Sequence, residues 1–134
     1  MIKVVQQNLF SLNVDAIVNS ANVSLLAGSG ICGVIHKNAG KELEKYCKTI
    51  GKQDYGSAVI TPSFNLSPLC KYIIHACGPR YLDGQRGEAE LLELTHQSII
   101  KVAIANNLKS IVIPPISTGV YRFPVEQAAQ ISIQ

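Results

Sequence analysis

The stretch DAIVNSANVSLLAGSGICGVIHKNAG, residues 15–40, changes character twice along its length. Residues 16–18 form a short apolar run that suits a buried strand. A polar turn with two asparagines and a cluster of three glycines follow this run. From Gly33 onward the apolar residues recur every four positions, which predicts a helix. The order is therefore strand, asparagine-rich loop, glycine loop and helix start.

The glycine loop and the helix start favour an anionic ligand. The first N–H groups of a helix have no partner within the helix and carry a partial positive charge. Gly28, Gly30 and Gly33 lie next to this position in the sequence. Glycine tolerates positive φ and lets the backbone approach a ligand closely.

Length and composition favour one ordinary folded domain over residues 1–134. Apolar residues make up 47% of the 134 residues and charged residues only 16%, so disorder is not expected. Residues 1–5 resemble the start of a strand rather than a signal peptide. The apolar runs are shorter than the ~20 residues of a membrane span. We therefore expect a soluble, cytoplasmic protein without a membrane partner.

Charge and cysteine usage argue against two classes of site. The net charge is +3, and four lysines recur along the polar side of the first predicted helix: Lys37, Lys41, Lys45 and Lys48. Few aromatic residues accompany them, so a solvated face is favoured over a nucleic-acid surface. The four cysteines show no C-x-x-C spacing and the histidines are scattered, so we expect no metal. Buried free thiols are expected at the cysteines other than Cys32.

Strands and helices alternate along the rest of the chain. Apolar runs bounded by turn residues predict strands at residues 2–5, 16–18, 57–61, 71–76 and 110–114. Helical periodicity predicts helices at residues 33–49 and 88–106, and a third that begins at Pro124. No helix separates the third and fourth strands. This order predicts an α/β fold with a mixed sheet flanked by helices.

Two unusual loops directly follow strands of this sheet. The first is the Asn- and Gly-rich segment of residues 19–33, and the second is the segment of residues 116–123, which contains Ser117, Thr118 and Gly119. Ligands of such sheets bind beyond the carboxyl ends of the strands. We therefore expect the two loops to meet and to hold a phosphate through backbone N–H groups.

Residues 28–33, GSGICG, formally match the dinucleotide-binding pattern G-x-G-x-x-G. In that fold the first glycine follows its strand almost directly, whereas here residues 20–27 intervene. Asp54, the acidic residue at about the right distance, precedes a strand rather than ending one. A Rossmann site is therefore disfavoured, and the P-loop pattern is absent from the sequence.

Five segments in sequence resemble the macro domain, an ADP-ribose-binding module. These segments are VDAIVNSAN (14–22), GSGICGVIHKNAG (28–40), GSAVIT (56–61), IHACGP (74–79) and PISTGVYRFP (115–124). Together they cover nearly the whole chain in the order typical of the family. The resemblance implies a three-layer α/β/α fold with a mostly parallel mixed sheet. It also implies that ADP-ribose binds across the strand ends.

The resemblance also implies a set of ligand-binding residues. Asn22, beside Ala21, would bind the distal ribose and would be the candidate catalytic residue. The adenine pocket would include Asn8 and Leu9. The first diphosphate loop would contain Gly30, Ile31, Cys32, Gly33 and Val34, with the helix starting at Val34. The second phosphate loop would contain Ser117, Thr118, Gly119, Val120 and Tyr121, and Tyr121 would lie against the distal ribose. No cofactor or metal is implied.

The chain departs from the family pattern in three ways. Many relatives have aspartate where this chain has Asn8, so charge assistance to the adenine amino group would be lost. Hydrolytic relatives often have aspartate where this chain has Cys32, and a thiol is a poor general base. The family usually continues with further helix and a final strand after the helix at Pro124, whereas this sequence stops at Gln134. We therefore expect a C-terminally short domain whose open sheet edge could favour a homo-oligomer.

Three functions remain open at this point. The protein could read ADP-ribose, free or attached to a protein, without changing it. It could instead be a hydrolase that removes mono-ADP-ribose from acidic side chains, with slow turnover because the first loop has no carboxylate. A third alternative is an interaction module with a degenerate pocket.

Overall fold

The computed structural model describes residues 14–26, 28, 30–67, 69–78 and 87–113. These residues form a four-stranded sheet with helices on both faces. The strands are β1 (Ala16–Ser20), β2 (Ala58–Pro62), β3 (Tyr72–Ala76) and β4 (Ile111–Val112). The helices are α1 (Gly30–Ala39), α2 (Lys41–Ile50) and α3 (Glu88–Ala105), and a 3-10 turn covers Phe64–Leu66.

The sheet is mixed and mostly parallel, in the order β2-β3-β1-β4. β1 pairs in parallel with both β3 and β4, and only β2 is antiparallel to its neighbour. The fold-class prediction is therefore confirmed. Because β1 and β4 are parallel neighbours, their carboxyl ends point to the same edge of the sheet.

Alternation along the strands divides the core into two clusters, one on each face of the sheet. On one face, Ile17 and Ile73 pack with Ile35 of α1 and Leu43 of α2. On the other face the apolar residues come from the strands and α3: Ala16, Val18, Ile74, Ala76, Leu92 and Ile99. The three-layer architecture follows directly from these two clusters.

The single helix predicted for residues 33–49 is wrong in two respects. The helix begins earlier, at Gly30, and it is interrupted at Gly40, whose φ is +95°. A side chain at Gly40 would be strained in this conformation, and its Cβ would lie 2.7 Å from Asn65 Nδ2. The apolar spacing continues across the break, so the periodicity alone could not reveal it. Gly51 ends α2, as predicted.

The remaining predicted strands and helices agree closely with the described elements. β2, β3 and α3 start and end within one residue of their predicted bounds. β1 extends two residues further than predicted and includes Asn19, whereas β4 is shorter. The predicted strand at residues 2–5 and the helix at Pro124 lie outside the described residues.

Two features of the described surface bear on the sequence expectations. The four lysines of α1 and α2 are exposed, as a solvated face requires, and Lys45 pairs only loosely with Glu42 at 3.4 Å. None of the helices in the described ranges combines the length and apolar character needed to cross a membrane.

Candidate functional site

The loop between β1 and α1, described at residues 21–26 and 28, begins at the carboxyl end of β1. The Ala21 N–H donates to the carbonyl of Ala76 at 2.9 Å, so the loop starts as a continuation of the strand pairing. Leu25 is fully buried at a φ of +59°, an unusual conformation for a non-glycine residue. The Leu25 side chain therefore anchors the loop in the core while its backbone turns sharply.

Asn22 closes a small ring of hydrogen bonds with Leu26. Its Nδ2 donates to the Leu26 carbonyl at 2.8 Å, and its Oδ1 accepts the Leu26 N–H at 3.1 Å. A carboxamide has two donor hydrogens and two acceptor lone pairs, so each end of Asn22 retains one further hydrogen-bonding position. The half-buried Asn22 is thus held in one orientation and can still bind a ligand.

Gly33 lies inside the first turns of α1, against the loop. A Cβ at Gly33 would collide with the Gly28 carbonyl oxygen, so the loop can approach the helix only because this residue is glycine. At Gly28 itself, a Cβ would make ordinary contacts with Asn22 Nδ2 at 3.4 Å and Cys32 Sγ at 3.9 Å. This close approach brings Asn22, Gly28 and Cys32 together at the start of α1.

Residues predicted to form a loop around the diphosphate are instead helical. Gly30, Ile31, Cys32, Gly33 and Val34 all belong to α1, so the prediction that the helix starts at Val34 is wrong. These helical residues still suit a diphosphate, because the first N–H groups of a helix lack partners within the helix and can bind an anion.

Cys32 is a buried thiol in the first turn of α1 rather than a loop residue. Its Sγ donates to the Leu26 carbonyl at 3.4 Å and accepts from Asn19 Nδ2 at 3.8 Å. Burial raises the pKa of Cys32, more than its hydrogen bonds lower it. The thiol is therefore neutral near pH 7. The other three cysteines are also free and buried, as expected.

Beneath the loop lies a polar layer that the sequence did not reveal. Asn19 and His75 are fully buried neighbours on β1 and β3, with Asn19 Nδ2 3.1 Å from His75 Nδ1. His75 Nε2 lies 2.9 Å from the Thr61 hydroxyl of β2. Burial, and secondarily the nearby His36, lowers the pKa of His75 to about 3. The His75 ring is therefore neutral over the physiological range.

His36 of α1 faces this layer from above. Its ring centroid lies 6.2 Å from that of His75, and burial lowers its pKa. In the described part of the chain, neither ring nitrogen of His36 has a hydrogen-bond partner, and the same holds for Asn19 Oδ1. The burial of both rings fits a structural role. The sequence did contain a signal for the polar group at Asn19, because residues two apart in a strand share a face and Asn19 follows the core residue Ile17 at that spacing.

The described residues bring together only part of the predicted site. Asn22, Cys32 and Gly33 come together around Gly28 at the start of α1. Gly30, Ile31 and Val34 belong to the same helix, and Ala21 directly precedes Asn22 in the loop. Seven other predicted residues lie outside the described ranges: Asn8, Leu9, Ser117, Thr118, Gly119, Val120 and Tyr121. Within the ranges that are described, no three His, Cys, Asp or Glu side chains are arranged to hold a metal ion.

A model of the family described as "Macro domain" matches residues 18–132. This chain belongs to the macro domain family. The match includes Asn22 and the start of α1, and it confirms the resemblance drawn from the five sequence segments.

Relatives of known name support the same assignment. The O-acetyl-ADP-ribose deacetylase of Salmonella gallinarum is 45% identical over 137 residues, covering 99% of this chain and 75% of that protein. The structure of the Oceanobacillus iheyensis macrodomain with ADP matches with a TM-score of 0.88 and 35% identity. The match covers 99% of this chain and 72% of the O. iheyensis chain. The Trypanosoma brucei macrodomain in complex with ADP-ribose has a TM-score of 0.88 and 32% identity, with coverage of 98% and 54%. This chain thus spans between about half and three quarters of the length of these relatives.

Proposed function

We propose that this macro domain binds ADP-ribose, free or attached to a protein, at the loop between β1 and α1. The observation that carries this proposal is the arrangement of Asn22 beside the close-packed start of α1. A fixed carboxamide there adjoins a helix N-terminus, and together they suit a ribose hydroxyl next to a diphosphate. The ADP-ribose complex of the T. brucei relative, which has the same fold, supports this choice of ligand.

In this proposal the diphosphate is bound by main-chain groups rather than by lysines or a metal. Residues 30–34 supply N–H groups at the start of α1, and Ser117, Thr118, Gly119, Val120 and Tyr121 form the second phosphate loop. Asn8 and Leu9 contact adenine. Asn8 accepts a hydrogen bond without the charge assistance of an aspartate, so adenine selectivity is expected to be relaxed.

A second candidate function is hydrolysis of an ADP-ribose ester or of mono-ADP-ribose on acidic side chains. The name of the S. gallinarum relative, O-acetyl-ADP-ribose deacetylase, favours it. Asn22 would orient the distal ribose, and the substrate diphosphate would help to position a water. The neutral Cys32 thiol cannot act as a general base, and residues 21–34 contain no carboxylate, so turnover should be slow.

Calorimetry with ADP-ribose tests the binding proposal, with Asn22→Ala and Asn38→Ala as a matched pair. Both asparagines donate from Nδ2 to a backbone carbonyl at 2.8 Å, but Asn38 is exposed on α1, with the Val34 carbonyl as its partner. We expect wild type and Asn38→Ala to bind equally and Asn22→Ala to bind at least tenfold more weakly, a change of about 1.4 kcal/mol. Absence of heat from wild type at millimolar ligand would contradict the proposal.

An assay with a mono-ADP-ribosylated protein separates the hydrolase from the reader. Loss of label that depends on Asn22 supports hydrolysis, whereas unchanged label with retained binding supports a reader. The interaction module with a degenerate pocket predicts no thermal stabilisation by ADP-ribose. A ligand at 100 times its Kd should instead add about 2.7 kcal/mol to the free energy of unfolding.

A cytoplasmic location and self-association through the sheet edge stay predictions of the sequence. Sedimentation of the purified chain tests the second, because a homo-oligomer would sediment faster than the 14.5 kDa monomer.

A further inference from the structure

A continuous series of hydrogen bonds starts at the strand β2. The Thr61 hydroxyl donates to the Pro62 carbonyl at 3.1 Å and lies 2.9 Å from His75 Nε2. The other ring nitrogen, Nδ1, lies 3.1 Å from Asn19 Nδ2. An amide nitrogen only donates, so Nδ1 accepts and the ring proton resides on Nε2. His75 then donates to Thr61, whose own hydrogen is engaged by Pro62.

The same series continues from Asn19 to the ligand loop. The Asn19 Nδ2 group has a second hydrogen, and it donates to Cys32 Sγ at 3.8 Å. The thiol in turn donates to the Leu26 carbonyl at 3.4 Å. That carbonyl also accepts from Asn22 Nδ2 at 2.8 Å. Each member therefore restricts the orientation of the next.

We propose that this series is a positioning relay that sets the orientation of the Asn22 carboxamide for its ligand. The relay consists of Thr61, His75, Asn19, Cys32, Leu26 and Asn22. It assigns positioning roles to Thr61, His75 and Asn19, which lie on the strands β2, β3 and β1. It rests on the proposed function only in that Asn22 is taken to contact ADP-ribose.

Burial explains how an orientation can be transmitted through these groups. Asn19, Thr61 and His75 are at most 1% exposed, so water cannot replace a broken hydrogen bond in the series. The relay also joins three strands and α1, so a change at one strand can alter side-chain orientation in another element. A hydrogen bond within one element could not have this effect.

The alternative is that Asn19 and His75 only fix the register of β1 and β3, on which they lie directly opposite each other. That role needs Asn19 and His75 but not the hydroxyl of Thr61 or the thiol of Cys32. The two explanations therefore differ in what happens at Asn22 when Thr61 is changed.

The first experiment replaces Thr61 by Val and records NMR spectra of the ligand-free protein. We expect the His75 ring to show the Nε2–H tautomer in wild type and to lose that fixed tautomer in Thr61→Val. The Asn22 side-chain amide resonances should shift in the same variant. Calorimetry should show ADP-ribose bound about tenfold more weakly, as for one lost hydrogen bond.

Two controls separate positioning from stability. Thr61→Ser retains the hydroxyl and should restore both the Asn22 resonances and the affinity. Thr95→Val removes an equally buried hydroxyl, which donates to the Leu91 carbonyl at 2.6 Å on α3. Thr95→Val should lower the melting temperature but leave the Asn22 resonances and the affinity unchanged.

A second pair of variants tests which ring nitrogen of His75 connects to Asn19 and onward to Asn22. His75→Asn can place an acceptor near the Nδ1 position, whereas His75→Gln places its amide near the Nε2 position. We expect His75→Asn to retain more of the wild-type Asn22 resonances than His75→Gln.

Three results would overturn the relay. The first is Asn22 resonances that do not change in Thr61→Val, the second is an equal change in Thr95→Val, and the third is a His75 proton on Nδ1 in wild type. These spectra need no ligand. Failure of wild type to bind ADP-ribose would instead overturn the proposed function, whatever the spectra show.

Discussion

The two faces of the sheet contain similar apolar cores but treat their buried polar groups differently. On the α3 face, the Thr95 hydroxyl and His96 Nδ1 bond to carbonyls one turn earlier in their own helix. The half-buried Ser98 hydroxyl donates to the Gly56 carbonyl outside the helix, again a backbone partner. On the α1 face, Asn19, His75 and Thr61 bond between separate strands. Among the described residues, the unpartnered buried side-chain atoms also lie on this second face, at Asn19 and His36.

This difference separates a face that stabilises the fold from a face that supports the site. Polar groups satisfied within one helix leave the packing of that helix to apolar contacts. Polar groups that bond across elements fix the positions of those elements relative to one another, at a cost when any member lacks a partner. The loop that carries Asn22 lies over the second kind of face.

The largest expected effect is on stability, from the α3 face. Leu92 is fully buried in the apolar cluster, and Leu92→Ala should lower the free energy of unfolding by about 3 kcal/mol through lost burial and a cavity. Urea denaturation measures the loss. The affinity of the folded fraction for ADP-ribose should not change, and a tenfold weaker affinity would show that the two faces are not separable.

The next largest effect is a dependence of stability on pH. We expect the histidine of the α1 face, His75, to contribute more to it than the histidine of the α3 face, His96. The pKa of His75 in the native protein is about 3, whereas that of an unfolded histidine is near 6.5. As pH falls below 6.5, the unfolded chain binds a proton that the native chain does not. The free energy of unfolding should therefore decrease by up to about 1.4 kcal/mol per pH unit toward pH 3.

Denaturation of two variants at pH 7 and pH 5 checks which face is responsible. Burial also lowers the pKa of His96 on α3, but its hydrogen bond to the Leu92 carbonyl opposes that shift. His75→Gln should flatten the pH dependence more than His96→Gln. Equal flattening would contradict the contrast between the faces.

A smaller effect is expected at the contact between the loop and α1. Gly33→Ala forces apart Gly28 and the first turns of the helix, and we expect about tenfold weaker ADP-ribose binding, or ~1.4 kcal/mol. Gly51→Ala is the control, because its φ of +86° makes alanine costly by about 1–3 kcal/mol in stability. Calorimetry should show normal affinity for Gly51→Ala, and equal affinities in the two variants would contradict the role of the close approach.

The smallest effect is expected on the solvated surface of α2. Lys45→Ala removes an exposed ion pair with Glu42 and should change stability by less than about 0.5 kcal/mol. A thermal melt measures this change. A drop of several degrees would mean that the lysine surface has a structural role.

Most of the fold could be predicted from the sequence because its strands and α3 have local patterns. Residues 57–61 and 71–76 are bounded by turn residues, and β2 and β3 follow those bounds closely. The start of α1 was misplaced because glycines in sequence indicate a loop, whereas Gly33 serves close packing within a helix. The break at Gly40 was missed because the apolar spacing persists across it.

The site was predicted only where its residues are close in sequence. Asn22, Cys32 and Gly33 all lie within residues 22–33, and the structure brings them together. The contact between Asn19 and His75 joins residues 56 positions apart, and that with Thr61 depends on the pairing of β2 with β3. A single sequence offers no pattern for such long-range pairs.

An NMR titration of the ligand-free protein with ADP-ribose shows directly where the ligand binds. We expect the backbone amides of residues 22–34 and the Asn22 side-chain amide to shift strongly. Amides of the α3 face around Leu92 and Ile99 should barely move. Shifts centred on α3, or none at saturating ligand, would contradict the claim that the loop between β1 and α1 binds ADP-ribose.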